Sequence, residues 1–273
     1  MRFPRLAAAA LSLAATCALA APEAVRKDII DRLQKQLPDL SGAEYVQGSA
    51  AFDDALRAKI EENSGESAAL IAAGQKLWTA KFKDGRSLAG CFPNGGRRIA
   101  GNYPQYDARQ KRIVTLEFAI NQCRKAHGEP TFEASDPATM GVALAYVRSL
   151  SNGQKLAVRV PPAAEPRFEQ GRRMYFTRMG QRNYACASCH LQGAGKRFDG
   201  MALSPVIGQA VHWPEIRDGA AITMQARIRE CLDLMGAAPF PAGSDELNHL
   251  EYFLTYLSNG LPLKANPWRP RQP

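Results

Sequence analysis

Several stretches of the chain recur about 100 residues later, and this duplication limits the folds that the sequence can adopt. The tetrapeptide Leu-Ser-Asn-Gly at residues 150–153 recurs at residues 257–260. The helical pattern at residues 72–78 resembles the pattern at residues 169–175. Separate matches at a similar offset are the signature of tandem structural units. The sequence therefore predicts two copies of one small domain, and 273 residues are enough for two hydrophobic cores.

Most of the predicted secondary structure is helical, so we expect an all-α fold. Ser244 is placed to cap the last helix and Gly260 to end it. A proline-containing stretch, residues 161–166, breaks the helical pattern and suggests a linker. Periodic apolar positions predict helices at residues 22–37, 47–62, 66–80, 114–126, 136–150, 166–180, 220–235 and 244–258.

The second unit contains the pentapeptide Cys-Ala-Ser-Cys-His at residues 186–190. Two thiols at this spacing can add to the two vinyl groups of one haem, and the histidine that follows can ligate the iron. A structural zinc site would need a second ligand pair at suitable spacing. A thioredoxin-like pair would not need His190. The motif therefore predicts one covalently bound c-type haem, attached through Cys186 and Cys189 with His190 as the proximal ligand.

Small cytochrome c domains pack their first helix across their last helix, with the haem attached just after the first. Both units have a glycine in the first helix, Gly74 or Gly171, which would let the last helix approach closely. The first unit lacks the haem motif and has Cys-Phe-Pro-Asn-Gly-Gly at residues 91–96 instead. We therefore expect two tandem cytochrome c-like domains, the first without haem.

The predicted domain boundaries follow from these patterns. The haem-free domain is expected at residues 21–160 and the haem-binding domain at residues 161–260. Residues 261–273 form a proline-rich end that is either a loose tail or a strap.

The N-terminus has the pattern of a secretory signal peptide, expected at residues 1–20. Arg2 and Arg5 precede a short apolar stretch, and Ala-Leu-Ala at residues 18–20 is a cleavage signal. No later stretch is apolar over 18 residues, so no membrane span is expected. Together with a c-type haem, export predicts the oxidising bacterial periplasm. The formal charge of +9 favours anionic ligands and acidic partners, whereas nucleic acid is a poor expectation outside the cytoplasm.

The repeat also predicts a disulfide in the first unit. Cys91 lies 98 residues before Cys189, and Cys123 lies 108 residues before Cys231. If Cys231 reaches a haem held through Cys189, the two equivalent cysteines of the first unit converge. We expect a Cys91–Cys123 disulfide there, and the chain-entropy model gives it roughly 3–4 kcal/mol of stabilisation.

Cys231 is left without a partner, which requires an explanation in an exported protein. It can be a small buried side chain, form an intermolecular disulfide, or be the second axial ligand of the haem and a reactive sulfur. Met235, Met224 and Met201 compete for the iron, and Met235 ligation would indicate a plain periplasmic electron-transfer cytochrome c. Arg227 lies one helical turn before Cys231. It is either a solvated helix charge or a group that binds an oxyanion in bidentate fashion.

Three segments resemble the SoxA family, the cytochrome c-type sulfur transferases of the bacterial thiosulfate-oxidising system. These are residues 91–96, residues 186–190 and Arg-Ile-Arg-Glu-Cys at residues 227–231, of which the last is the most specific. Some members of the family carry haem in both domains. Because this chain has no haem motif in its first half, it resembles the single-haem branch.

The resemblance implies a role for each matching residue. Cys186 and Cys189 would hold the haem, with His190 as proximal ligand. Cys231 would be the distal ligand and the active sulfur, which occurs as a persulfide in the family, and Arg227 would bind the substrate anion. The implied activity is that of an L-cysteine S-thiosulfotransferase subunit, which couples thiosulfate to a cysteine of the SoxY–SoxZ carrier and passes two electrons to cytochrome c. The implied partner is the small cytochrome c subunit SoxX, in a heterodimer.

Overall fold

The computed structural model of the protein describes residues 21–271. The predicted signal peptide, residues 1–20, lies outside the described part of the chain. Within residues 21–271, no helix is both long and apolar enough to cross a membrane. The α-helices are α1 (Pro22–Gln36), α2 (Gly42–Tyr45), α3 (Asp54–Glu62), α4 (Ser67–Thr79), α5 (Leu88–Cys91), α6 (Leu116–Ala126), α7 (Val142–Ser149), α8 (Glu165–Phe176), α9 (Cys186–His190), α10 (Met224–Leu234) and α11 (Asp245–Leu257).

Shorter elements connect these helices. In the described part of the chain, six strands pair as three antiparallel hairpins, β1–β2, β3–β4 and β5–β6. The strands are β1 (Gln105–Asp107), β2 (Arg112–Val114), β3 (Arg197–Phe198), β4 (Met201–Ala202), β5 (Glu215–Arg217) and β6 (Ala220–Ile222). Single turns of 3₁₀-helix span Gly48–Phe52, Ser64–Glu66, Pro93–Gly96, Ala100–Asn102, Pro162–Ala164 and Gln209–Val211, and a π-helical turn spans Pro137–Gly141.

The prediction of a helical fold is confirmed, but "all-α" is too simple. Each predicted helix corresponds to helical structure, although the segment 47–62 is divided between a 3₁₀ turn and α3. The segment 220–235 begins as a strand, because residues 220–222 pair with β5 before α10 starts. The three hairpins were not predicted, since runs of two or three residues are too short to show a period of two.

The two halves repeat the same helix crossing. Helix α4 packs on α7 in the first half, and α8 packs on α11 in the second. A side chain on Gly74 would overlap the Val142 carbonyl oxygen, and one on Gly171 would overlap the His249 carbonyl oxygen. Only glycine allows two helix backbones to approach this closely. The predicted role of both glycines is therefore confirmed.

Aromatic side chains pack in the interior of the first half, and a disulfide lies at its edge. Trp78 is fully buried, stacks on Phe92 with a centroid separation of 5.0 Å, and donates a 2.9 Å hydrogen bond to the Gly95 carbonyl oxygen. The predicted Cys91–Cys123 disulfide is present, with the two Cα atoms 6.0 Å apart. The disulfide joins α5 to α6, so the short helix that follows α4 is held against α6.

The segment before α4 packs on the second half of the chain. Arg26 donates hydrogen bonds to the carbonyl oxygens of Leu257 and Asn259, at 3.2 and 2.9 Å. The Gln36 side chain donates to the Ala194 carbonyl oxygen at 2.8 Å. Residues 22–53 therefore form part of the surroundings of α9 and α11, although they precede the first unit in sequence.

Residues 261–271 pack as a strap, which we call the C-terminal strap. Its backbone exchanges hydrogen bonds with residues 153–156 of the first half. The Asn266 side chain donates to the Ala145 carbonyl oxygen at 2.8 Å. Farther along, Ile216 donates its N–H to Pro267, and Arg269 donates its N–H to Ile216, so the strap runs beside β5. Of the two expected forms of this end, the strap is the one observed.

A buried polar cluster joins the two halves. Gln225 on α10 donates hydrogen bonds of 2.9 Å to Asn248 and to Glu251 on α11. Glu117 and Arg148, from the first half, are buried nearby, and Arg148 donates to the Ala210 carbonyl oxygen at 3.1 Å. Burial raises the pKa of Glu251 to about 8, and the Glu117 carboxyl adds to that shift. The Glu251 carboxyl is therefore protonated at neutral pH in this interface.

Candidate functional site

A large cavity lies in the second half, between α8, α9, α10 and α11. Its walls enclose about 1530 Å³, including the part open to solvent. Apolar side chains from α8, α10, α11 and the β3–β4 hairpin contribute most of the lining, with Gly48 and Leu56 from the N-terminal segment and Arg269 from the C-terminal strap. The cavity is thus built to enclose a large and mainly apolar group.

The two cysteines of the haem motif open onto this cavity from α9. Cys186 and Cys189 are unpaired and half-buried. Burial raises the pKa of Cys186 to about 12 and also raises the pKa of Cys189, so both remain thiols at neutral pH. The hydroxyl of Tyr175, on α8, lines the same space and has no hydrogen-bond partner within residues 21–271. An orphaned buried hydroxyl beside two thiols fits a site that holds a bulky group.

His190, the last residue of α9, is oriented by its ring nitrogen Nδ1. This nitrogen donates a 2.9 Å hydrogen bond to the Ser204 carbonyl oxygen, and the side-chain amide of Gln209 lies 2.6 Å from it. Burial lowers the pKa of His190 to about 4, which keeps the ring neutral. With the proton held on Nδ1, the lone pair of Nε2 is available for a metal, as in most histidine–metal sites.

Cys231 and Arg227 lie one turn apart on α10, and both line the cavity. The helix begins at the Thr223 cap, whose hydroxyl accepts from the Ala226 N–H at 3.2 Å. Burial raises the pKa of the Cys231 thiol, whereas the nearby Arg227 guanidinium opposes that shift. The arrangement therefore places a cation where it favours the thiolate form of Cys231.

Arg227 stands between the interior and the surface. It donates a 3.2 Å hydrogen bond to Glu230, and it lines both the large cavity and a second, open pocket together with Arg217 and Arg271. Arg217 holds Glu230 through two hydrogen bonds of 2.6 and 3.0 Å. An anion that reached Arg227 from the surface would pass this arginine-lined pocket first.

The three competing methionines also line the cavity. Met235 follows Cys231 by one turn at the end of α10, Met224 begins the same helix, and Met201 lies in β4. The structure therefore brings every predicted haem-site residue and every competing ligand to one space. The disulfide pair Cys91 and Cys123 lies in the other half.

Two charged residues of the cavity were missed in the sequence. Glu215 in β5 is buried, and burial raises its pKa, although Arg227, Arg217 and Arg269 oppose the shift. Arg269 comes from the end that the sequence analysis left as a tail or a strap. Both are brought to the cavity by the pairing of the strap with β5, for which the sequence carries no periodic signal. His212 also lines the cavity and hydrogen-bonds to the Val46 carbonyl oxygen.

These residues define the second half as a c-type cytochrome domain, because paired thiols, an oriented histidine and an enclosing apolar cavity together fit covalently attached haem. The chain belongs to the SoxA/TsdA cytochrome c family. The family profile described as "SoxA/TsdA, cytochrome c domain" matches residues 73–156 and residues 170–263. The two matched segments agree with the two repeat units found in the sequence.

The relatives support the same family. The chain is 37% identical over 235 residues to the L-cysteine S-thiosulfotransferase subunit SoxA of Chlorobaculum tepidum, covering 84% of this chain and 81% of that protein. It is 36% identical over 253 residues to the protein of the same name from Allochromatium vinosum, covering 90% and 89%. A crystal structure of SoxXA from P. pantotrophus superposes with a TM-score of 0.72 at 27% identity, covering 80% of this chain and 84% of that one.

Proposed function

We propose that this chain is the L-cysteine S-thiosulfotransferase subunit that joins thiosulfate to a cysteine of the SoxY–SoxZ carrier and passes two electrons to cytochrome c. One observation carries the proposal: Cys231 and Arg227 face the cavity that also contains Cys186, Cys189 and His190. A plain electron carrier needs the haem residues only. A cysteine next to an arginine adds a nucleophile and an anion site. The names of the relatives support the same activity.

The haem would be held by thioether bonds from Cys186 and Cys189, and His190 would ligate the iron through Nε2. The hydrogen bond from Nδ1 to Ser204 supports this assignment, because it fixes the tautomer and the ring orientation. Cys231 is proposed as the distal ligand and the reactive sulfur. The haem, when bound, supplies an acceptor that takes electrons one at a time.

Cys231 and Arg227 have different roles in the proposed reaction: Cys231 is the nucleophile and Arg227 binds the anion. Arg227 binds the sulfonate oxygens of thiosulfate and orients the outer sulfur toward Cys231. A bond forms between these two sulfurs as the Cys231 thiolate and the thiosulfate dianion together lose two electrons, which pass to cytochrome c. The product is a Cys231–S–S–SO₃⁻ adduct. The carrier thiolate attacks the sulfur next to the sulfonate and displaces the Cys231 thiolate, so the carrier leaves with the thiosulfonate group.

We further propose that the protein carries one haem and that the first domain is haem-free. Trp78 supports this proposal, because its side chain is fully buried in the interior of the first half. The disulfide supports it as well, because Cys91 is engaged in a bond to Cys123 at the position where the second half has a haem-motif cysteine. By the repeat, Trp78 corresponds to Tyr175, which lines the cavity of the second half. In the first half, the larger indole of Trp78 is at the position equivalent to this tyrosine, and it packs against Phe92.

The partners and the location belong to the same proposal. The structural neighbour is a complex named SoxXA, which supports a SoxX subunit as the partner of this chain in a heterodimer. The thiosulfate-bearing carrier would be SoxY–SoxZ. The signal-peptide pattern at residues 1–20 and the disulfide support the periplasm, since a disulfide persists in an oxidising compartment.

Two substitutions at Cys231 test the proposed role. Cys231→Ser and Cys231→Met should retain one covalently bound haem by mass spectrometry, because the attachment residues are unchanged. Both should abolish transfer of thiosulfate to the carrier. The matched control is Met235→Leu, which changes a neighbouring cavity residue and should leave transfer largely intact. Full turnover of Cys231→Ser would refute the proposal.

A plain electron-transfer cytochrome with Met235 on the iron is the second candidate. It is favoured by the position of Met235, which is buried and lines the cavity one turn from Cys231. Optical and magnetic spectra of the oxidised protein distinguish thiolate from thioether ligation. If Met235 is the ligand, Met235→Leu alters those spectra and Cys231→Ser leaves them unchanged. The transferase proposal expects the reverse.

A further inference from the structure

The C-terminal strap brings a buried arginine to the wall of the cavity. Arg269 is 7% exposed and lines the space that also contains the haem-motif thiols. Its backbone position is fixed, because its N–H donates to the Ile216 carbonyl oxygen at 2.8 Å and Ile216 donates to Pro267 at 2.9 Å. The side chain is therefore delivered to the cavity by a specific pairing of the strap with β5.

The guanidinium of Arg269 has few partners for a buried cation. Within residues 21–271 its side chain donates one hydrogen bond, to the Gln47 carbonyl oxygen at 3.4 Å, and forms no ion pair within 4.0 Å. Glu215 acts on it electrostatically, but burial still lowers the pKa of Arg269. Removing a cation from water without a close anion is costly. The surroundings thus leave room for an anionic group of the ligand.

The position of Arg269 in the cavity identifies which part of the ligand it would meet. Its guanidinium lies close to Gly48 and His212, since a side-chain carbon on Gly48 would be 3.8 Å from Arg269 Nη2 and 3.2 Å from the His212 ring. The thiols Cys186 and Cys189 belong to another part of the wall, beside Tyr175. In a haem, the two propionates lie on the edge of the macrocycle opposite the two vinyl groups.

We propose that Arg269 binds a propionate carboxylate of the haem. With the vinyl edge held at Cys186 and Cys189, the carboxylates would meet the other part of the cavity wall, where the strap supplies the cation. A guanidinium pairs with a carboxylate through two parallel N–H···O bonds. The inference depends on the haem attachment proposed above, and it assigns the strap a function as part of the cofactor site.

The test compares the wild-type haem protein with Arg269→Met, Arg269→Lys and the control Arg271→Gln. Arg271 lies on the same strap, but it is exposed and pairs with Asp218. Covalent haem is first counted by mass spectrometry, and the reduction potential is then measured as a function of pH. In Arg269→Met the inflection caused by propionate ionisation should move to higher pH, and the potential above it should become more negative. In Arg269→Lys, the pH of the inflection and the potential above it should both return most of the way to the wild-type values. Arg271→Gln should match wild type.

Each outcome separates this inference from the proposed function. A wild-type protein without haem refutes both. A haem-loaded Arg269→Met protein with the wild-type potential profile overturns the inference alone, and a raised thiosulfate KM in that variant would assign Arg269 to the substrate instead. Resonance Raman spectra of the wild type provide a measurement that needs no variant. Its propionate bending bands should shift in D₂O, because the carboxylate accepts exchangeable N–H groups, and unshifted bands would also overturn the inference.

Discussion

Gly171 on α8 faces the main-chain carbonyl of His249 on α11 with no space for a side chain between the two backbones. The same relationship joins Gly74 to Val142 in the first half. The two crossings hold α4 against α7 and α8 against α11. Adding a single methyl group at Gly171 should therefore destabilise the haem domain.

Gly171→Ala is the direct test of this close approach. Its Cβ would overlap a backbone oxygen and lie 2.9 Å from the Phe253 Cβ, and neither can move without separating the helices. We expect a loss of about 1–3 kcal/mol or more in the free energy of unfolding, measured by urea denaturation. Gly90→Ala on α5 is the control, because a Cβ there meets nothing within 4 Å. Equal stability of the two variants would contradict the packing argument.

Removal of the disulfide should weaken the first half without affecting the cofactor. The bond closes a loop between positions 32 apart in sequence. The double variant Cys91→Ser, Cys123→Ser should lose roughly 3–4 kcal/mol of unfolding free energy by the chain-entropy model. Haem content should be unchanged, since Cys186 and Cys189 are untouched. A double variant that unfolds at the same urea concentration as the wild type would show that the bond adds nothing to stability.

The Glu251 carboxyl should make stability depend on pH. Burial raises its folded pKa to about 8, above its usual value, so the folded state retains a proton that the unfolded state releases. Stability from this group is therefore complete below the unfolded pKa and is lost as pH rises toward about 8, by at most roughly 1.4 kcal/mol per pH unit. Glu251→Gln should gain stability relative to wild type between pH 5 and pH 8 in urea titrations.

The control for that experiment is Glu246→Gln, which removes a carboxylate from the exposed side of the same helix. The stability of Glu246→Gln relative to wild type should not increase as pH rises, whereas that of Glu251→Gln should. If the unfolding free energies of the two variants change with pH in the same way, the Glu251 carboxyl is not the source of the pH dependence.

Arg227→Ala should weaken the binding of thiosulfate more than it slows the transfer to the carrier cysteine. A hydrogen bond to a charged group contributes about 1.5–3 kcal/mol, which corresponds to a rise of about 10- to 100-fold in the thiosulfate KM. Steady-state kinetics at varied thiosulfate concentration measure the effect. Arg229→Ala is the matched control, because Arg229 lies two positions away and donates to Ser135 instead. A thiosulfate dependence that is the same in both variants would argue against anion binding by Arg227.

Local spacing made part of the site predictable. The interval of four residues between Arg227 and Cys231 places both on one helix face whatever the tertiary fold. The glycines of the crossing helices and the disulfide followed from the internal repeat, because one copy served as a template for the other. These features depend on sequence neighbours or on a known offset.

The remaining features depend on contacts between distant segments. The strap reaches β5 through backbone hydrogen bonds, which any residue with an N–H and a carbonyl can form, so the sequence gives no sign that Arg269 meets the cavity. Residues 22–53 were assigned with the first unit, yet Arg26 binds carbonyls of the second half. Neither pairing leaves a periodic pattern that could be read in advance.

The strap has a consequence for the order in which the protein matures. Because Arg269 lies 80 residues after Cys189, this side of the cavity is complete only when the end of the chain has packed beside β5. A haem attached before that step would enter through a more open wall, and the packing of the strap would then enclose it.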